Sequence, residues 1–168
     1  MSLSKTPAGV ITKEQTLLST RRLPVAVATT LTKGQLCEIN PTGYIIVSSS
    51  SSVNVQRFVA LATVNNSAGT GGDLSVPLAV RGHFVTVVAD EAINPGDWVK
   101  ASSGTQGRVK RFVPGTDDNN LKVGIYWGKE SGIISKAATT PYLESFADTA
   151  DFVPVVCAQT DVIEVELV

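Results

Sequence analysis

Leu31-Thr-Lys-Gly34-Gln-Leu36-Cys37 and Ile93-Asn-Pro-Gly96-Asp-Trp98-Val99 are the two stretches on which the fold turns. Each runs from an apolar residue through two turn formers to a glycine, then through one polar residue into an apolar pair. That order reads as a tight glycine turn opening a strand. The match continues in order: Gly43-Tyr-Ile45-Ile aligns with Gly107-Arg-Val109-Lys, and Val59-Ala-Leu61-Ala with Val123-Gly-Ile125-Tyr. The offsets are 62, 64 and 64 residues. Three ordered matches at near-constant spacing describe an internal repeat, with units at about 31–64 and 93–127. Two similar β-units packed together close off most sheet edges, so the expected fold is an all-β single domain, a β-barrel or β-sandwich.

Working outward, short Val/Ile/Leu/Thr-rich runs recur between Gly, Pro, Asn, Asp and Ser clusters. The expected strands are 23–29, 35–40, 44–48, 56–64, 74–81, 83–89, 98–101, 108–113, 122–127, 152–158 and 161–167. In the last of these Ile163, Val165 and Leu167 share one face and Glu164 and Glu166 the other, the period-two pattern of a half-buried strand. Pro77 lacks an N–H, so the 74–81 strand is expected to be an edge or to be bulged there. By the same alternation His83 falls on a polar, solvated face beside Arg81. Helix signals are few: Thr140-Pro141 before Tyr142–Phe146, and a turn or two within 12–22. At most one or two short helices are expected. Residues 1–22 read as an extended N-terminal arm ahead of a 23–168 body.

Composition removes several functions. The chain has 168 residues, 43% hydrophobic and 17% charged, with a formal net charge of −1. No apolar run approaches the ~18 residues of a membrane helix, and clustered cations for nucleic-acid packaging are missing. Neither a membrane nor a nucleic acid is therefore an expected partner. About 25% charge is usual for a soluble domain, so part of this weakly charged surface is expected to be covered by protein. The first residues contain no apolar signal core; Arg21-Arg22 resembles a twin-arginine signal, but Pro24 interrupts the short apolar stretch that follows.

Candidate chemistry is sparse. His83 is the sole histidine and could serve a hydrolase as base, with Asp90 or Asp97 orienting it and Ser102 as nucleophile, but no G-x-S-x-G elbow exposes that serine. Cys37 and Cys157 lack metal-ligand spacing and read as buried free thiols, with a disulfide left open. Asp117-Asp118-Asn119-Asn120 reads as a turn before a cation site, and Gly69–Asp73 as a hairpin loop without a P-loop lysine. Arg108, Lys110 and Arg111 read as guards of a sheet edge. No catalytic, cofactor or metal residue is therefore assigned, and no enzyme activity is expected. Charge segregates instead. Lys5, Lys13, Arg21, Arg22 and Lys33 outweigh Glu14 and Glu38 in the first forty residues, while 141–168 carry six acids, Glu164 and Glu166 among them, and no base. Lys5, Lys13, Arg21, Arg22, Glu164 and Glu166 are thus the candidate contacts to a neighbouring copy or another protein.

The ordered set Leu31-x-x-Gly34-Gln-Leu, Gly43-Tyr-Ile, Val59-Ala-Leu-Ala, Val80-Arg-Gly82-His-Phe and Ile93-Asn-Pro-Gly96-Asp-Trp-Val resembles the head decoration, or capsid cement, proteins of tailed bacteriophages. Arg108-Val109 and Val123-Gly124-Ile125 continue it, so the resemblance spans roughly Leu31 to Trp127; the stretch from Ser131 to Asp151 departs from it. It implies a virion structural protein made in the host cytoplasm and bound to the outer capsid surface, often as a homotrimer, with the major capsid protein as partner. An arm of ~20 extended residues could reach on the order of 65 Å, enough to clamp a neighbouring subunit.

Overall fold

A computed structural model describes residues 11–13, 20–52, 55–128 and 156–168, with 11–13 described as backbone alone. The alternating segments form thirteen strands: β1 (Ile11–Lys13), β2 (Arg21–Pro24), β3 (Thr29–Leu31), β4 (Leu36–Ile39), β5 (Ile45–Val47), β6 (Arg57–Ala60), β7 (Val64–Asn66), β8 (Ser75–Ala79), β9 (Phe84–Val88), β10 (Trp98–Ala101), β11 (Val109–Arg111), β12 (Lys122–Gly128) and β13 (Val162–Leu167). A single 3-10 turn, Asn119–Leu121, is the helical element among the described residues. The all-β expectation holds. The 140–146 helix and most of the 152–158 strand lie outside the described residues, and both ends of the 12–22 segment are strand.

Two sheets curl on themselves. The order β2-β8-β6-β4-β5 is closed by a parallel bridge between Val25 and Ile45, and β9-β13-β12-β10-β11 by a parallel bridge between Ala89 and Val109. Closure removes edges that would otherwise present unpaired backbone. Each small barrel has its own interior. Val25, Leu31, Cys37, Ile45, Phe58, Ala60, Val76 and Leu78 fill the first. Ala89, Ile93, Val99, Val109, Tyr126, Ile163 and Val165 fill the second.

The barrels are the two halves of the repeat. Gly34 N–H donates to Ala60 C=O at 2.7 Å, as Gly96 does to Tyr126. Both glycines have positive φ, 85° and 89°, in turns closed from Gln35 to Thr32 and from Asp97 to Asn94 at 3.0 Å. Leu36 pairs with Val59 as Trp98 pairs with Ile125, and Leu31 pairs with Val64 as Ile93 bridges Cys157. Register therefore sets the third match of the repeat at 66 residues, where the sequence alignment has 64. A two-residue slip along a strand leaves every side chain on its own face, so alternation alone does not detect it.

The first barrel's outer face holds the barrels together. Leu36, Val59 and Ala79 alternate with its core residues, point outward, and are buried in one cluster with the second barrel. The β10–β11 hairpin completes the joint: Leu36 N–H donates to Gly107 C=O at 2.7 Å, and Gly107 N–H to Ser48 C=O at 3.3 Å. Burial of both strand faces explains why Arg57–Ala60 is buried at all four positions.

Two local expectations are corrected. β8 lies between β2 and β6, so Pro77 is not on an edge. Its carbonyl accepts from Leu61 N–H at 2.9 Å, just past the end of β6, so the reciprocal bond that proline cannot donate falls at the end of the β6–β8 ladder and not within it. His83 is fully buried. Gly82, at φ 91°, turns the chain between β8 and β9 and rotates the next residue inward, which straight alternation could not anticipate.

Both cysteines are free and buried. Burial, and then the Glu38 charge, push the Cys37 thiol far above its ordinary range. Ellman's reagent is therefore expected to find no reactive thiol in the native protein and two in denaturant; fast native reaction would contradict this burial.

Candidate interaction surface

Reactive side chains are spent on structure. His83 Nδ1 accepts from Val80 N–H at 3.0 Å, so its proton sits on Nε2, which is buried without a hydrogen bond. Ser102 donates to Asp90, whose carboxylate also accepts from Thr105 N–H at 3.0 Å and lies 3.6 Å from Arg108. Asp97 lies 3.4 Å from Arg111 and accepts from Asn94 N–H. The hydrolase set is thus divided between a buried turn and two ion-paired loops. Asp117 binds Lys100 and accepts from Val113 N–H at 2.7 Å, while Asp118 caps Asn120. Asp73 accepts twice from Thr70 across the Gly-rich loop. Among the described residues no group of three or more His, Cys, Asp or Glu could hold a metal ion.

Three of these carboxylates titrate below their ordinary value, exposed Asp73 through its two bonds from Thr70 and the others against burial. Burial pushes Asp90 up, but bonds from Ser102 and Thr105 and the Arg108 charge outweigh it and hold the group below 3.8. Asp117 shows the same balance, with Lys100 and Val113 N–H outweighing burial. The unfolded chain binds these protons more readily. Their stabilisation is therefore complete above the unfolded value and lost as pH falls below 3.8 through the folded one. Urea midpoints are expected to fall between pH 5 and 2.5, and to fall less in Asp90→Asn; an unchanged acid limb would contradict the assignment.

A charged network missed by the sequence reading lies under the serine run. Glu38, 2% exposed, accepts from Ser48 Oγ at 2.7 Å, and Arg57 Nε donates to that hydroxyl at 3.1 Å. The guanidinium also donates to the carbonyls of Asn120, Ser49 and Ser52, tying 48–52 to both barrels. Beside it a cavity of about 220 Å³ is lined by Arg57, Arg81, Lys122, Val55, Val123 and Val168.

The candidate contact residues occupy two barrels. Lys5 lies outside the described residues, and Lys13 contributes backbone to β1, which pairs with β9 on the outside of the second barrel. Arg21 and Arg22 are exposed on β2 and pair with Leu78 and Pro77. Glu164 and Glu166 alternate outward on β13 of the second barrel. Glu166 accepts from Trp127 Nε1 at 2.9 Å. Arg21 and Arg22 thus lie on the first barrel, while Lys13, Glu164 and Glu166 belong to the sheet of the second.

Trp127 is 52% exposed, an unusual position for the residue type that most often anchors interfaces. Around it on the outer face of the second barrel are half-buried Trp98, Ile125 and Glu166, with the Lys122 ammonium 4.7 Å from the Trp98 ring centroid. Alternation names this face as outward, but only the paired registers show that it repeats the face by which the first barrel is joined.

No family model matches the chain, and no curated protein matches it. Among solved structures it is similar to the head fiber gp8.5 N base of bacteriophage phi29, with a TM-score of 0.50 and 12% identity over 89% of this chain and 95% of that one. At that identity the likeness is one of fold.

Proposed function

We propose that this chain is a non-enzymatic structural protein of a tailed-bacteriophage virion, bound to the outside of the head and bridging capsomers as a homotrimer. The observation that supports this most is the shared fold with a head-fiber base over nearly the whole of both chains. The motif resemblance to head decoration proteins and the low charge point the same way. Stabilisation of the shell would be mass action: a protein that binds only the assembled lattice shifts assembly toward it. The major capsid protein is the proposed partner, and Lys5, Lys13, Arg21, Arg22, Glu164 and Glu166 are the proposed contacts.

A second reading, favoured by the neighbour's being a fiber base, makes this chain the foot of a head appendage. Copy number separates the two. A decoration protein approaches the coat protein in abundance, whereas an appendage foot is present in far fewer copies. Co-sedimentation with empty shells tests both, and protein that stays soluble at every concentration would overturn both.

Charge reversal probes the basic strand. Arg21→Glu with Arg22→Glu is expected to slow association about tenfold or more at low salt and to flatten its salt dependence, with folding stability within ~0.5 kcal/mol of the parent. Unchanged association kinetics would remove these arginines from the contact set.

A further inference from the structure

The repeat makes one half of the molecule a template for the other, and the two halves differ in what covers them. In the first barrel the outer residues Leu36, Val59 and Ala79 are fully buried by the second barrel. The registers Leu36↔Val59 and Val59↔Ala79 correspond to Trp98↔Ile125 and Ile125↔Glu166. The equivalent face of the second barrel is therefore Trp98, Ile125 and Glu166. All three are only half-buried, and exposed Trp127 adjoins them.

The other side of the joint shows the same asymmetry. Gly107, in the β10–β11 hairpin, is buried against the first barrel, and a Cβ there would lie 3.0 Å from Gln35 and 3.1 Å from Val47. Its counterpart in the β4–β5 hairpin is Gly43, which shares the positive φ, 88° against 80°. Gly43 is exposed with Pro41 and Thr42, and a Cβ there would meet nothing within 4 Å. Each chain thus carries one completed joint and, at its two ends, both halves of a second.

We infer that a second copy of this chain covers the Trp98–Ile125–Trp127 face, inserting its 41–43 hairpin as the Gly107 hairpin inserts within the chain. This gives the proposed homotrimer its interface, although it rests on the repeat and not on the virion assignment. The contact is heterologous: one copy's first barrel meets the next copy's second barrel, so it propagates until the rotation closes a ring. Three chains closing in this way would present six like barrels around the axis. Aromatic side chains at the centre suit such an interface.

The test uses isolated full-length protein, with no shells present. A benzoylphenylalanine placed at Thr42 and irradiated in a mixture of ¹⁴N- and ¹⁵N-labelled chains is expected to give mixed-isotope crosslinks to the peptide holding Trp98 or Ile125. Thr42→Trp, in an exposed turn, and Trp127→Glu, on an exposed face, should each weaken self-association about 30-fold or more by mass photometry while circular dichroism stays unchanged. Crosslinks within one chain, crosslinks from Thr42 to Thr42, or a protein that is monomeric at every concentration would overturn the joint. So would an oligomer that survives both substitutions. Failure to bind shells would overturn the proposed function and leave these readouts unaffected.

Discussion

Gly124→Ala is expected to destabilise the protein by about 3 kcal/mol or more and to lower Tm by roughly 6–12 °C. Gly124 sits in the middle of β12, paired with Val99 on one side and Leu167 on the other. A Cβ there would lie 2.2 Å from the Glu166 carbonyl oxygen and 2.6 Å from Val165 Cγ1, and the nearer of these is backbone that cannot step aside. The repeat explains why glycine stands at this position. Phe58 and Ala60 line the first barrel where register places Gly124 and Tyr126 in the second, so the aromatic ring has moved two positions and the space beside it has closed. Gly96→Ala is the control: its φ is 89°, nothing lies within 4 Å, and left-handed strain alone costs about 1–2 kcal/mol. Equal losses in the two variants, measured by urea denaturation, would contradict the β12–β13 packing.

Arg57→Ala is expected to cost about 3–5 kcal/mol. The guanidinium is 8% exposed as a residue; burial lowers its pKa, opposed by the Glu38 charge, and five acceptors from three segments depend on it or on its neighbour Ser48. Removing it alone leaves a buried carboxylate without its counter-charge and the carbonyls of Ser52 and Asn120 without this donor, while Ser49 C=O keeps the Ser52 N–H, and both losses add. Glu38→Gln combined with Arg57→Met removes both charges and is expected to recover a large part of the loss, giving a coupling of more than ~1 kcal/mol in the double-mutant cycle. A single-variant loss below ~1 kcal/mol would mean that the serine run holds its place without the network.

Strands were legible because alternation and turn chemistry agree locally. Trp98–Ala101 was bounded correctly, and the Gly34 and Gly96 turns carry the left-handed residue their geometry requires. What alternation cannot supply is a cover. Glu38 and Lys100 alternate onto outer faces, yet both are nearly buried, Glu38 beside its cross-strand partner Arg57 and Lys100 against Asp117 from a loop. Alternation gave Leu36, Val59 and Ala79 the same direction as Trp98, Ile125 and Glu166, yet only the first set is covered. His83 was misplaced because one glycine reverses the strand path before it. The candidate contacts were named from charge alone. Their division between two barrels became visible only once the pairing of β2 with β8 and of β13 with β9 was fixed.

A density map of the intact particle tests the proposed role most directly. The expected result is two small barrels per chain on the outer head surface, three chains around each occupied position, each touching more than one capsomer. Density for this chain at the tail or inside the shell, or particles that lack it altogether, would contradict that role.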